Sequence, residues 1–241
     1  MLDPSLLTLL RLVSPALPVG AFAYSQGLEG AVEQQFVTND ESAVEWIAGI
    51  LQQSISKLDL PALYWQLAIL QKQERPQEII DEFCDYNRTI FAHRETSEFR
   101  LESHQLGQAL LRLLRDTDAA NDDVIKELLN PSTIKPIDWV SAFALAAHCY
   151  ALEPDKTLLG FAWAWSETQV AAAVKLVPLG QTQGQRILIQ LSDVIMQLVS
   201  DLMKDLEQKT LVNKFEIGAI SPNLAITSSQ HETQYSRLFR S

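Results

Sequence analysis

Glycine and cysteine are both scarce in this sequence, which has 9 glycines and 2 cysteines among 241 residues. The few glycines, and the lack of any convincing alternation of apolar and polar residues, argue against a protein built from strands and tight turns. Cys84 and Cys149 lie far apart in the sequence and outside any C-x-x-C spacing. They predict neither a disulfide framework nor a thiolate zinc site, and we expect two small buried side chains.

Basic residues and long apolar runs are few as well. Lysine and arginine total 19 against 30 aspartates and glutamates, a formal net charge of −11. Such an acidic chain repels polyanions, so nucleic acid is not an expected partner. The longest uncharged apolar stretch, residues 139–152, is shorter than the roughly 20 residues that span a bilayer. Asp3 stands where a signal peptide carries basic residues. We therefore expect a cytoplasmic protein that does not bind or cross a membrane.

A helical period extends over most of the sequence. Apolar residues make up 47% of the chain, enough for a sizeable core, and they recur at intervals of three and four residues. Capping signals, such as Asp59 before Pro61 and Asp138 before an apolar run, indicate where helices begin. The predicted helices cover approximately residues 4–12, 24–35, 38–58, 59–71, 76–115, 122–129, 138–152, 154–177 and 182–206.

This pattern predicts one all-α domain, a bundle of about nine helices within residues 1–220. No polar linker that could separate two cores interrupts the series. From Gly218 onward the helical period is lost. Residues 221–241 are therefore expected to form a C-terminal tail, suited to binding a partner rather than to completing the bundle.

The sequence contains no pattern typical of a metal or catalytic centre. His93 and His104 share a helix face but lie about 16 Å apart at 1.5 Å per residue, too far to bind one ion. No histidine has the glutamate three residues earlier that a di-iron bundle requires. His231 and Glu232 begin like a zinc-protease motif, but Tyr235 takes the place of the second histidine. No glycine-containing turn is followed by the Lys-Ser/Thr pair of a phosphate-binding loop. We predict no metal site, no cofactor and no catalytic residues.

Three segments are unusual on physical grounds. Residues 14–29 form an apolar loop, which packs either on its own core or on a partner. Arg94, Glu98 and Glu102 fall on one helix face and interrupt its apolar stripe. They form either a solvated face with helix ion pairs or the lining of an interface or internal aqueous path. Residues 221–241 combine arginines and aromatic side chains on an acidic protein, so they either order against a partner groove or fray as a solvated end.

At these same segments the sequence resembles the UreF family of urease accessory proteins. Four stretches carry the resemblance, in one order along nearly the whole chain, and several long matches of this kind are specific. They are residues 14–29 (SPALPVGAFAYSQGLE), 94–107 (beginning RET), 175–185 (beginning KLVPLGQ) and 231–239 (HETQYSRLF). Residues 116–136 match least.

The resemblance implies an all-α, homodimeric, non-enzymatic chaperone subunit. It implies that the protein bridges the accessory protein UreD, also called UreH, and the GTPase UreG, in a complex that delivers nickel to apo-urease. It further implies that the protein positions UreG, influences its GTP hydrolysis and contributes to a tunnel for nickel. An acidic chain without a phosphate-binding loop is compatible with this role, because it could act on a GTPase only by contact.

Each matched segment has an expected role under this resemblance. The tail is expected to order on binding UreD through His231, Glu232, Tyr235, Arg237 and Phe239. The break between two helices is expected to contact the GTPase through Lys175, Gln181 and Gln185. The apolar loop is expected either to present Tyr24, Gln26 and Glu29 to a partner or to support the tail. Candidates for a polar lining of the dimer or of the tunnel are Arg94, Glu98 and Glu102.

Two other interpretations remain open at this point. A compact all-α enzyme of the thiaminase-like (TenA) type would use Cys149 or Cys84 as a nucleophile, and it requires a thiol of low pKa near an acid or base. A helical adaptor unconnected with nickel would share the fold but not the matched stretches.

Overall fold

Every regular element that the structure describes is a helix, as the apolar period predicts. The computed structural model of the chain describes residues 4–120, 122–208, 218 and 221–241. Their buried apolar side chains form one continuous core, so the prediction of a single all-α domain is confirmed. Within these described ranges, no helix is both long and apolar enough to cross a membrane.

The helices follow one another with short connections. In chain order they are α1 (Pro4–Leu12), α2 (Leu28–Glu33), α3 (Asp40–Ile50), α4 (Leu60–Leu70), α5 (Pro76–Ala92), α6 (Ser97–Asp116), α7 (Asp123–Leu128), α8 (Trp139–Cys149), α9 (Pro154–Leu176), α10 (Gln181–Gln208) and α11 (Pro222–His231). A π-helical stretch, Leu51–Asp59, joins α3 to α4.

Helix α8 lies at the centre of the bundle. Its residues 140–147 are all buried, and it packs against both α4 and α6. Because small and apolar residues occupy every face of α8, neighbouring helices can enclose it on all sides. Helix α9 packs against α4 and along α10, which completes the bundle.

The helix predicted over residues 76–115 is two helices in the structure. Helix α5 ends at Ala92 and α6 begins at Ser97. Between them, Thr96 has an extended backbone, and its hydroxyl accepts a hydrogen bond from the Phe99 amide at 3.2 Å. This side chain satisfies an amide that has no partner within the helix. The single-helix prediction was wrong because the apolar stripe continues across a capped break.

Helix α11 (Pro222–His231) lies where the sequence predicts no helix. A proline opens its first turn, a position that needs no amide donor. The buried side chains of α11 are Leu224, Thr227, Ser228 and His231, which share one helix face. Most of that face is polar, so a search for an apolar period does not detect it.

Helices α2 and α11 approach each other closely at Gly30. A Cβ atom added to Gly30 would lie 2.9 Å from the Thr227 carbonyl oxygen, closer than a side chain tolerates. Just before α2, Gly27 has a φ of +80°, which glycine adopts without strain. These two glycines bring the C-terminal segment, defined as residues 221–241, against the loop that precedes α2.

Candidate functional site

The C-terminal segment lies between the loop before α2 and the first turns of α6, where three buried glutamates hold it. Glu29 is on α2, and Glu98 and Glu102 are on α6. Buried carboxylates are stable only when donors or cations surround them. The C-terminal segment supplies most of these donors, so the site is built by contact between distant parts of the chain.

His231 connects two of these carboxylates. Its side chain is fully buried, with Nδ1 at 2.8 Å from Glu98 Oε2 and Nε2 at 3.2 Å from Glu29 Oε2. The two glutamates belong to different helices, so one imidazole ring ties α2, α6 and α11 together. Removing the ring would leave both carboxylates short of a partner in a region of low dielectric.

Glu29 and Glu98 also hold the residues that follow α11. The Leu238 and Phe239 amides donate to the two Glu29 oxygens at 2.7 and 2.8 Å. Arg237 donates to the second Glu98 oxygen at 2.7 Å. A carboxylate that accepts from two successive amides fixes the backbone direction at that point, so Glu29 fixes the course of the segment at Leu238 and Phe239.

Ser241 is held at three points. The amide and the hydroxyl of Ser25 donate to the Ser241 carbonyl oxygen at 3.0 and 2.5 Å. The Ser241 hydroxyl donates to Glu102 at 2.7 Å. Beside it, the Arg240 amide donates to the Ala23 carbonyl at 2.9 Å. These bonds fasten the segment to the loop before α2 independently of Glu29.

Glu102 also faces the interior of the bundle. Its second oxygen accepts from Gln26 Nε2 at 2.6 Å, and Gln26 Oε1 accepts from the Trp165 indole at 2.5 Å. All three side chains line both of two cavities, of about 70 and 140 Å³. Burial raises the pKa of Glu102 to about 7. This carboxyl is therefore partly protonated at neutral pH.

Glu232 caps helix α6 from a distant part of the chain. Its carboxylate accepts from the Ser97 hydroxyl at 2.6 Å and from the Ser97 amide at 2.9 Å. The Ser97 hydroxyl lowers the pKa of Glu232, and a negative charge is favourable at a helix N-terminus. The Thr96 and Ser228 hydroxyls lie 2.8 Å apart beside it. The start of α6 is thus built jointly with the C-terminal segment.

Arg94 belongs to a separate buried ion network. Its guanidinium lies 2.8 Å from Asp59 and 2.8 Å from Asp138. Burial lowers the pKa of Arg94, but the two carboxylates outweigh this effect and raise it overall. Asp138 caps α8 as predicted, through the Val140 amide at 2.9 Å. Asp59 was predicted to cap α4 and makes no such bond; it faces Arg94 instead, and burial raises its pKa.

Two further predicted residues lie beside the C-terminal segment. Tyr24 is buried and donates a hydrogen bond to Gln105. Lys175 is exposed, and its ammonium group lies 5.5 Å from the centre of the Phe239 ring, within range of a cation–π interaction. Lys175 therefore contacts the segment directly, and Tyr24 lies next to it, lining one surface pocket with Arg237 and Arg240.

The other predicted site residues lie on the surface. Tyr235 is fully exposed, while Gln181 and Gln185 are exposed in the first turns of α10. Sequence reasoning did not identify Ser25, which stands in a matched stretch, or Trp165, which has no local signal. The structure brings into one cluster these predicted residues: Gln26, Glu29, Glu98, Glu102, His231, Arg237 and Phe239.

Neither cysteine has the properties of a catalytic nucleophile. Burial raises the pKa of Cys84, and it raises the pKa of Cys149 to about 11. A reactive thiol needs a lowered pKa, so the thiaminase-like interpretation finds no support at either thiol. In the part of the chain that the structure describes, no three His, Cys, Asp or Glu side chains are grouped so that they could hold a metal ion.

Comparison with known proteins gives a consistent result. The sequence profile of the UreF family matches residues 37–192. The chain is 41% identical, over 99% of its length and 95% of the relative's, to the urease accessory protein UreF of Marinomonas sp. (strain MWYL1). It is 40% identical, over the full length of both chains, to that of Teredinibacter turnerae (strain ATCC 39867 / T7901). It is 42% identical, over 99% and 95%, to that of Psychrobacter cryohalolentis (strain ATCC BAA-1226 / DSM 17306 / VKM B-2378 / K5).

Proposed function

This chain belongs to the UreF family of urease accessory proteins, and from that premise we propose that it bridges UreD (UreH) and the GTPase UreG. In this proposal, the assembled complex inserts nickel into apo-urease, and the chain modulates GTP hydrolysis by contact rather than through chemistry of its own. The chain is proposed to act in the cytoplasm as a homodimer and to reach apo-urease only through the complex.

The observation that carries this proposal is that some side chains of the C-terminal segment are buried in the protein while others are exposed to solvent. Phe239 and Ser241 are buried and point into the protein, whereas Tyr235 and Leu238 are exposed. Arg237 is partly exposed although Glu98 holds it. Because the buried contacts already fix the backbone of this segment, its exposed aromatic, apolar and cationic side chains lose little entropy on binding a partner, as binding hot spots require. This arrangement supports a role for residues 231–241 in binding UreD.

We predict that replacing Tyr235 and Leu238 together by alanine weakens UreD binding at least tenfold. The two side chains are exposed, so the melting temperature should stay within about a degree of the parent's. The measurement is a pull-down titration of UreD, with Leu7→Ala as control because Leu7 on α1 is 74% exposed. Unchanged UreD affinity in the double variant would remove the tail from this role. Lost affinity for UreG alone would assign the tail to the other partner.

For the GTPase, we propose the surface around Lys175 and the first turns of α10, where Gln181 and Gln185 are exposed. We expect Lys175→Ala to shift the hydrolysis rate of UreG within the complex toward that of free UreG. Lys175 also contacts Phe239, so Lys175→Arg is the matched control, since it keeps a cation over the ring. An alanine variant with unaltered hydrolysis and unaltered affinity for UreG would end this assignment.

For nickel, we propose that Glu102 contributes a polar lining to an internal path. Its support is that Glu102 lines both interior cavities. Glu98 was proposed with it, but Glu98 binds both His231 and Arg237, whereas Glu102 contacts the C-terminal segment through the Ser241 hydroxyl alone, so the test uses Glu102. We expect Glu102→Gln to slow nickel-dependent urease activation severalfold while the complex still assembles. Glu45→Gln, exposed on α3, is the control. Activation at the parent rate by Glu102→Gln would contradict the proposal.

A further inference from the structure

The surface pocket beside Tyr24 is an open groove between the C-terminal segment and the first turns of α6. Its volume is about 400 Å³. Leu101 on α6 supplies an apolar side chain that is 56% exposed, and the C-terminal segment supplies Arg237 and Arg240. Arginine is enriched in protein interfaces relative to the rest of the surface, and covering an exposed leucine is favourable. The groove therefore has the composition of a binding surface.

The exposed charge of this groove is positive, although the whole chain is acidic. Of the described residues that line it, only Glu98 carries a carboxylate, and the two Glu98 oxygens already bind His231 and Arg237. Arg240 is exposed and forms no ion pair with any residue that the structure describes. One guanidinium charge in the groove is thus left without a counter-charge, on a chain whose net charge is −11.

Arg240 is held in position at both its backbone and its side chain. Its amide donates to the Ala23 carbonyl at 2.9 Å. Its guanidinium lies next to the Tyr24 hydroxyl: burial raises the pKa of Tyr24, and the nearby Arg240 cation opposes this effect. Tyr24 itself donates to Gln105 on α6. Because these contacts already restrict Arg240, binding an anion at its guanidinium costs little additional entropy.

The chemistry of the groove selects the group that it binds. A guanidinium pairs with a carboxylate through two parallel hydrogen bonds, a geometry that its planar fork favours. A polyanion would bring many negative charges close to an acidic chain, which is unfavourable. A single carboxylate avoids this repulsion, and an aliphatic side chain next to it would cover Leu101.

We propose that this groove binds a segment of a partner protein in which an aspartate or glutamate lies next to an aliphatic side chain. The carboxylate pairs with Arg240, and the aliphatic side chain packs on Leu101. The partner is the one that binds the C-terminal segment, UreD, so this inference rests on the proposed function. It adds the chemistry that the partner must present.

The test measures UreD affinity by titration at low and at high salt. We expect Arg240→Gln to weaken binding about tenfold at low salt and to make the affinity less dependent on salt, because the lost contact is ionic. Leu101→Ala should weaken binding severalfold at both salt concentrations, because its contact is apolar. The controls are Arg112→Gln, an exposed arginine elsewhere on α6, and Met196→Ala, 59% exposed on α10. Both should bind UreD as the parent does.

A double-mutant cycle identifies the partner's carboxylate. Each exposed aspartate and glutamate of UreD is changed to its amide and tested against the parent chain, Arg240→Gln and Arg112→Gln. We expect one carboxylate whose loss weakens binding to the parent but not to Arg240→Gln, and no such coupling with Arg112→Gln. Amide exchange at Leu238 and Phe239 should stay as in the parent. A displaced segment would accelerate this exchange and couple to no single carboxylate, which would count against the proposal.

The outcomes separate this inference from the proposed function. Tyr235 and Leu238 do not line the groove, so their double alanine variant tests the tail independently. If that variant loses UreD affinity while Arg240→Gln and Leu101→Ala bind as the parent does, the tail keeps its role and the groove proposal is overturned. It is also overturned if Arg240→Gln impairs only UreG binding, or if it lowers the molar mass of the chain alone, which would make the occupant a second copy. A parent chain that does not bind UreD would remove both.

Discussion

Replacing Glu29 by alanine is expected to open the C-terminal segment locally around Leu238 and Phe239, while the bonds of Ser241 to Ser25 and Glu102 remain. The variant loses the acceptor of the Leu238 and Phe239 amides and one of the two carboxylates at His231. Each buried donor left without a partner costs about 1–3 kcal/mol. The segment can avoid this cost by moving into water, so it should open locally while α1 to α10 remain folded.

Amide hydrogen exchange measures this opening directly. We expect exchange at Leu238 and Phe239 to accelerate by roughly a hundredfold or more, since about 1.4 kcal/mol corresponds to a factor of ten. UreD binding should fall with it if the tail has its proposed role. Glu33→Ala is the matched control because Glu33 is exposed on the same helix. Unchanged protection of both amides in Glu29→Ala would show that Glu29 does not hold the segment.

Replacing Arg94 by methionine is expected to destabilise the whole domain by about 3–5 kcal/mol, because it leaves the buried Asp59 and Asp138 without their cation. Asp138 keeps its bonds to Ser103 and the Val140 amide, so Asp59 should suffer most. Urea unfolding measures the loss as a lower midpoint at similar slope. Combining Arg94→Met with Asp59→Asn should restore part of the lost stability, because the uncompensated negative charge of Asp59 is removed.

An exposed ion pair provides the comparison for Arg94. Arg88 on α5 pairs with Asp85, and both side chains are more than half exposed. Exposed pairs contribute about 0–1 kcal/mol, so Arg88→Met should shift the midpoint little. If Arg94→Met were no more damaging than Arg88→Met, the buried network would not be important for stability.

Local signals in the sequence were sufficient for most of the bundle. Apolar residues at helical spacing predicted the helices of the core, and Asp138 predicted the start of α8 correctly. The break between α5 and α6 could not be predicted in this way, because the apolar stripe crosses it without interruption. Part of what stabilises the break is Glu232, which binds Ser97 from a position distant in sequence.

The candidate site illustrates the same limit. Spacing on one helix placed Glu98 and Glu102 on a shared face, and the structure shows both side chains buried. It could not show that His231 would bind Glu98, because that contact depends on how α11 packs against α2. Helix spacing also could not show that Arg94 would bind Asp59 and Asp138. Arg94 was predicted on the same face as the two glutamates, but it lies in the break between α5 and α6. The family resemblance identified which segments belong together, but their contacts could be identified only from the folded structure.

The central claim is that this chain joins two other proteins and has no reactive centre of its own. The most direct measurement is the molar mass, by size-exclusion chromatography with light scattering, of complexes purified from cells that produce UreD and UreG with and without this chain. We predict one complex containing all three proteins, with its mass or stability dependent on whether GTP or GDP is bound, and no UreD–UreG complex when the chain is omitted. A UreD–UreG complex that forms equally well without the chain would contradict the account.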